Sequence, residues 1–188
     1  MRRQFERYLD LLTLWNRSQR LTGVLSADRI VSDLFIDSLL FLKVIPPGAL
    51  RVADIGAGAG IPGIPIVLAR PEIAITLIDS RRKRASFLLA VRRELGIDNL
   101  RVLEGRAEEL VEADRSLSEG FDVVVTRAAG PTAIVLPIAM SYLSRGGLFV
   151  AGGSSGLEQP DIPGTRRESV ELKELRIHRT LLLATKLT

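Results

Sequence analysis

The sequence contains no cysteine and a single histidine, His178, among 188 residues. The first absence excludes disulfides and thiolate metal sites, and the second leaves too few imidazoles for a histidine-ligated centre, so no metal is expected. Long hydrophobic runs are missing too. The longest apolar stretches are broken by Asp37, Lys43 or Pro137, short of a membrane span. No basic, apolar, small-residue signal opens the chain. The expectation is therefore no membrane and a cytoplasmic location. Internal repeats and low-complexity segments are absent as well. What is present is 46% apolar, enough for one cored domain with at most a small appendage. A net charge of +4 favours an anionic partner, nucleic acid first.

The most informative stretch is Arg51–Pro65, RVADIGAGAGIPGIP. An apolar run (Val52, Ala53, Ile55) carries one acid, Asp54. Gly56, Gly58, Gly60 and Gly63 follow, then a helix-like segment, Ile64–Ala69. Strand, glycine loop and helix build a nucleotide pocket in a parallel α/β sheet, because glycine lets the backbone approach the ligand. Gly58-Ala-Gly60-Ile-Pro-Gly63 also fits the dinucleotide pattern, so spacing alone leaves NAD and S-adenosylmethionine both open. Pro62 and Pro65 remove N–H donors that a pyrophosphate would need, which favours S-adenosylmethionine. Asp54 with Gly56-Ala57-Gly58-Ala59-Gly60 also matches the opening motif of Rossmann-like methyltransferases.

Around this block the pattern predicts a helix over Arg3–Trp15 with Phe5, Tyr8, Leu9, Leu12 and Trp15 on its buried face. A polar connection over 16–23 follows. Ser26 is placed to cap a second helix over 27–45 that ends at Pro46-Pro47-Gly48. Asp37-Ser38 interrupts its apolar face, either as a kink or as a polar pair facing a ligand. Strands are predicted at Ala74–Asp79, Leu100–Glu104, Phe121–Thr126 and Leu148–Ala151, the last after a Gly146-Gly147 turn. Two closing strands are predicted at Val170–Ile177 and Arg179–Thr185. Arg81–Leu95 reads as a helix closed by Gly96, and 152–164 as a surface loop. The result is an α/β chain: a helical cap over 1–48 and a Rossmann-like domain over 49–188, with a seven-stranded, mostly parallel sheet.

Three groups carry chemistry. Asp79 ends its strand 25 residues after Asp54, where a carboxylate holds ribose hydroxyls. Arg81, Arg82, Lys83 and Arg84 crowd the first turn of a helix, where the dipole disfavours cations, so an anion such as RNA phosphate is expected there. Thr126-Arg127-Ala128 ends the fourth strand, at the carboxyl edge where α/β sheets bind ligands. Arg106-Ala107-Glu108 lies on the same edge.

The chain resembles the rRNA small-subunit methyltransferase G family, also called glucose-inhibited division protein B. The resemblance is carried by Trp15-Asn16 with Leu21-Thr22, Asp37-Ser38-Leu39, Asp54 through Pro65, Asp79-Ser80 with Lys83-Arg84 and Phe87-Leu88, and Arg127-Ala128. It implies a class I methyltransferase fold and transfer of a methyl group from S-adenosylmethionine to guanine N7 in 16S rRNA of the small ribosomal subunit. Gly56, Ile61, Ala107, Glu108 and Arg127 are then expected to contact the cofactor. Together with Asp54, Ala57, Gly58, Gly60, Asp79 and Ser80 they form the candidate cofactor set, and Arg127 is the candidate catalytic residue. Arg81 to Arg84 are the candidate RNA contacts, and a monomer is expected. The chain departs from the family pattern at Leu34, usually histidine, at Arg20, usually asparagine, at Thr126, usually serine, and at Gly152, usually lysine. An altered-specificity or non-catalytic RNA-binding relative, and a methyltransferase acting on a small molecule, are the competing readings.

Overall fold

The computed structural model describes residues 1–127, 129–152 and 162–187. Seven strands form one sheet in the order β3-β2-β1-β4-β5-β7-β6. They are β1 (Arg51–Ile55), β2 (Ala74–Asp79), β3 (Leu100–Glu104), β4 (Phe121–Arg127), β5 (Leu143–Gly152), β6 (Thr165–Leu172) and β7 (Ile177–Thr185). The first five are parallel, and β7 runs antiparallel between β5 and β6. The strand order reverses between β1 and β4, which opens a crevice at their carboxyl ends.

The central strands are apolar at successive positions because both faces are covered. Along β1 and β4, Val52, Val123 and Val125 enter one core while Ala53, Ile55 and Val124 enter the other, as the period of two requires. Four helices flank the sheet within the βα units: α4 (Gly63–Ala69), α5 (Arg82–Leu95), α6 (Ala107–Ala113) and α7 (Thr132–Tyr142).

The N-terminal part is α1 (Arg2–Gln19) and a helical run over 27–43. That run comprises α2 (Ala27–Ile30), a π-helical segment (Val31–Ile36), α3 (Asp37–Leu39) and a 3₁₀ turn (Leu40–Lys43). Tyr8, Leu12, Leu34, Phe35 and Phe41 join Ile64, Phe87 and Val125 in a single core, so the cap expected over 1–48 has no core of its own. Tyr8 stacks on Phe35 at 4.7 Å, and its hydroxyl donates to the Ala59 carbonyl in the glycine loop at 2.5 Å. Burial holds the Tyr8 phenol well above its usual range.

Several boundaries move for identifiable reasons. The first helix runs to Gln19, past the predicted Trp15. Asn16 is buried, and its Oδ1 accepts from the Thr22 N–H at 2.9 Å, so a residue read as connection anchors the turn. The second helix keeps its Ser26 cap, which accepts from Arg29 N at 3.3 Å, but it widens into the π segment just before Asp37. Gly146-Gly147 lies inside β5 as a bulge: the register jumps between Phe121 opposite Leu143 and Val123 opposite Leu148. His178, read as a gap between the closing strands, belongs to β7. Most of the loop predicted over 152–164, including Gly153, lies outside the described residues, as does Ala128.

Candidate cofactor and substrate site

Six N–H groups of the glycine loop that follows β1 are bonded within the protein. Gly56 and Ala57 donate to the Ile78 carbonyl at 2.9 and 3.0 Å. Gly58 donates to Asp79 Oδ2 at 2.9 Å, and Gly60 and Ile61 to the Ala57 carbonyl. Gly63 donates to Asp54 Oδ2 at 2.9 Å. A dinucleotide pyrophosphate needs such N–H groups free. Their internal use removes the dinucleotide reading on geometry, beyond the argument from the two prolines.

Two cavities flank this loop. The first, about 400 Å³, lies between the ends of β1, β2 and β3 and the start of α7. Gly56, Asp79, Ser80, Ala107 and Glu108 line it, with Ile78, Ile134, Val135 and Ile138 as an apolar wall. The second, about 650 Å³, lies between the loop, the π segment and β7, and is lined by Ala57, Gly58, Ile61, Leu34, Asp37, Arg127 and Arg179. Arg84 borders both. Each volume falls in the range of small-molecule sites.

The residues present fit S-adenosylmethionine. The apolar wall suits a flat heteroaromatic ring, and the second cavity offers a guanidinium to a carboxylate. Arg127 Nη1 is buried with no partner among the described residues. Burial lowers the Arg127 pKa, opposed by Asp37. Asp79 is buried, and its carboxylate takes three donors: Gly58 N, Arg81 N at 2.9 Å and Arg84 Nη1 at 3.4 Å. Of about four acceptor positions on a carboxylate, one remains for a ribose hydroxyl.

Nine residues of the predicted cofactor set therefore line the two cavities: Gly56, Ala57, Gly58, Ile61, Asp79, Ser80, Ala107, Glu108 and Arg127. Asp54 and Gly60 do not. Asp54 has no exposed surface; it points under the loop to Gly63, and burial pushes its pKa up to about 7. Gly60 faces α4: with φ +86°, a Cβ there would lie 2.3 Å from Ile64 Cδ1. Glycine is needed at this position for packing and not for ligand approach. Of the predicted RNA contacts, Arg81, Arg82 and Lys83 are exposed, whereas Arg84 turns inward to Asp79.

Sequence reasoning missed Arg179, and it left Asp37 undecided. Arg127 Nη2 lies 3.2 Å from Asp37 Oδ2 and donates to the Asp33 carbonyl at 2.7 Å. Arg179 Nε lies 2.5 Å from Asp37 Oδ1, an ion pair too bent to be a directed hydrogen bond. No local pattern announces a pair that joins residue 37 to residue 179. The departures also find their places. Leu34 lines the second cavity. Thr126 donates to the Ile55 carbonyl at 2.9 Å, as serine would. Gly152 lies under Phe41, whose Cζ would be 2.5 Å from an added Cβ, so lysine there would displace the ring.

Residues 1–161 match the family described as rRNA small subunit methyltransferase G. The chain is 32% identical over 194 residues to the ribosomal RNA small subunit methyltransferase G of Desulfitobacterium hafniense, covering 97% of this chain and 80% of that one. It is 36% identical over 156 residues to the protein of the same name from Caldanaerobacter subterraneus, covering 82% and 65%. Among solved structures, a putative O-methyltransferase from Klebsiella pneumoniae superposes with a TM-score of 0.65 at 15% identity, covering 96% and 90%, a likeness of fold alone. The chain belongs to the rRNA small subunit methyltransferase G family and, with it, to the S-adenosylmethionine-dependent methyltransferases of the Rossmann-like fold.

Proposed function

We propose that the protein methylates guanine N7 in 16S rRNA of the small ribosomal subunit, using S-adenosylmethionine. The observation that carries this reading is the pair of cavities meeting at Gly56–Gly58, the second lined by Arg84, Arg127 and Arg179 together with Asp33 and Asp37. When bound, the cofactor supplies an electrophilic methyl group, which guanine N7 accepts on a free lone pair without losing a proton.

The chain's own work is then positioning. Asp79 braces the loop at Gly58, while Ile78, Ala107 and Val135, which line the first cavity, would hold the adenine. Arg127 lines the second cavity, where its guanidinium would hold a carboxylate. Holding donor and acceptor in line is worth up to about 7–11 kcal/mol of the barrier. Asp37 is paired with two arginines at the edge of this cavity. Arg81, Arg82 and Lys83 stand exposed at the start of α5, beside the first cavity, and supply phosphate contacts.

The test is methyl transfer from tritiated S-adenosylmethionine to undermodified small subunits, with naked 16S rRNA alongside and the product nucleoside separated by chromatography. Label in 7-methylguanosine is the expected result, and Arg127→Ala should abolish most of it. Cofactor binding without transfer, or label in another product, would overturn the reading in favour of a retired or redirected enzyme.

A further inference from the structure

We propose that Asp37 is the positioning residue of this site: it holds Arg127 and Arg179 side by side so that both guanidinium groups meet one oxyanion, a carboxylate or a phosphate, in the second cavity. The assignment rests on the methyltransferase reading above and goes beyond it, because it gives Asp37 a role exerted through the two arginines.

Three elements distant in sequence converge here: the helical run near residue 37, the end of β4 and the antiparallel β7. The Asp37 side chain is only 4% exposed. A carboxylate so placed is costly unless it is paired, and no side-chain capping hydrogen bond is made at the start of α3. Arg127 pairs with Oδ2, and Arg179 lies beside Oδ1 as an ion pair without a directed hydrogen bond. Both oxygens are thereby committed to arginines, so Asp37 acts through them.

The π segment makes this possible. Asp33 and Asp37 are four residues apart, and the Asp33 carbonyl and the Asp37 carboxylate grip the same Arg127 Nη2. A widened turn of this kind often marks a functional position. Nη2 is thus held by two groups, while Nη1 is buried with no hydrogen-bond partner among the described residues. Arg179, 45% exposed, lines the same cavity from the opposite side of the carboxylate. Two cations around one acid leave a net charge of +1 facing the cavity, which calls for an anionic group.

The test uses the full-length protein. Asp37→Asn and Arg179→Ala are made singly and together, and read by kcat/KM for methyl transfer to undermodified small subunits and by S-adenosylhomocysteine affinity. Asp37→Asn should lower kcat/KM about 100-fold, as a misplacement near 1 Å does. The double variant should be no worse than Asp37→Asn, because residues acting as a unit are non-additive. Effects that multiply in the readout that falls, or single variants within about twofold of wild type in both kcat/KM and S-adenosylhomocysteine affinity, would overturn the proposal. Should Asp37→Asn fail to fold, the same cycle between Arg127→Lys and Arg179→Ala replaces it: coupling supports the shared oxyanion and additivity refutes it. A loss confined to S-adenosylhomocysteine affinity assigns the cofactor carboxylate. A loss confined to KM for the RNA particle assigns a phosphate. Both outcomes support the role of Asp37. Wild-type protein that neither binds S-adenosylhomocysteine nor transfers methyl refutes the methyltransferase reading itself, whereas active wild type with additive variants refutes Asp37 alone.

Discussion

Asp54 makes the stability of this protein fall as pH rises through neutrality. Its carboxylate has no exposed surface, accepts one hydrogen bond from Gly63, leaves Oδ1 without a partner among the described residues, and lies near the charge of Asp79. Desolvation, the largest cause, and the Asp79 charge together outweigh the Gly63 bond and raise the pKa from 3.8 to about 7. Between these values the folded chain holds a proton that the unfolded chain has released. The stability linked to Asp54 is therefore fully present below pH 3.8 and is lost as pH rises through about 7. The interval from 3.8 to about 7, at about 1.36 kcal/mol per pH unit, corresponds to about 4 kcal/mol between pH 4 and 8. Asp54→Asn cannot titrate, and its amide oxygen can still accept from Gly63. Urea unfolding of both proteins at constant ionic strength, from pH 4.5 to 8, isolates the difference. The stability of wild type minus that of Asp54→Asn should decline by several kcal/mol, most of it below pH 7. A difference that stays constant within about 1 kcal/mol across the range would refute a neutral, buried Asp54.

Two further outcomes follow from the site and its support. Replacing Arg81, Arg82 and Lys83 by alanine should weaken binding of small subunits and reduce the slope of log affinity against log salt by about 0.7–0.9 per lost phosphate contact, measured by filter binding; an unchanged slope removes the α5 cluster from the RNA interface. Tyr8→Phe deletes the hydroxyl that donates to the Ala59 carbonyl, leaving that acceptor buried, and should cost about 1–3 kcal/mol in chemical denaturation. Because Ala59 lines the second cavity, the same variant should also weaken S-adenosylhomocysteine binding in calorimetry.

The amino-acid sequence by itself determined the architecture and the place of the site. Apolar strand runs, a glycine-rich turn after β1, an acid at the end of β2 and Gly96 closing α5 are local signals, each tied to the backbone of its own segment. They suffice to place a crevice at the carboxyl edge of the sheet and to name nine of the residues that line it. What only the tertiary structure decided is direction and partnership. Asp54 and Asp79 read alike as acids at strand ends, yet Asp54 turns beneath the loop and Asp79 toward the cavity, because the loop's path sets which N–H groups each carboxylate meets. Gly60 and Gly58 belong to one motif, but only Gly58 lies at a cavity wall, since α4 crowds the other. Arg84 is one of four consecutive cations until the fold pairs it with Asp79. Asp37 and Arg179 acquire their relation when an antiparallel strand returns beside the helical run. Periodicity extends over a few residues, whereas an ion pair between positions 37 and 179 depends on the whole chain having closed.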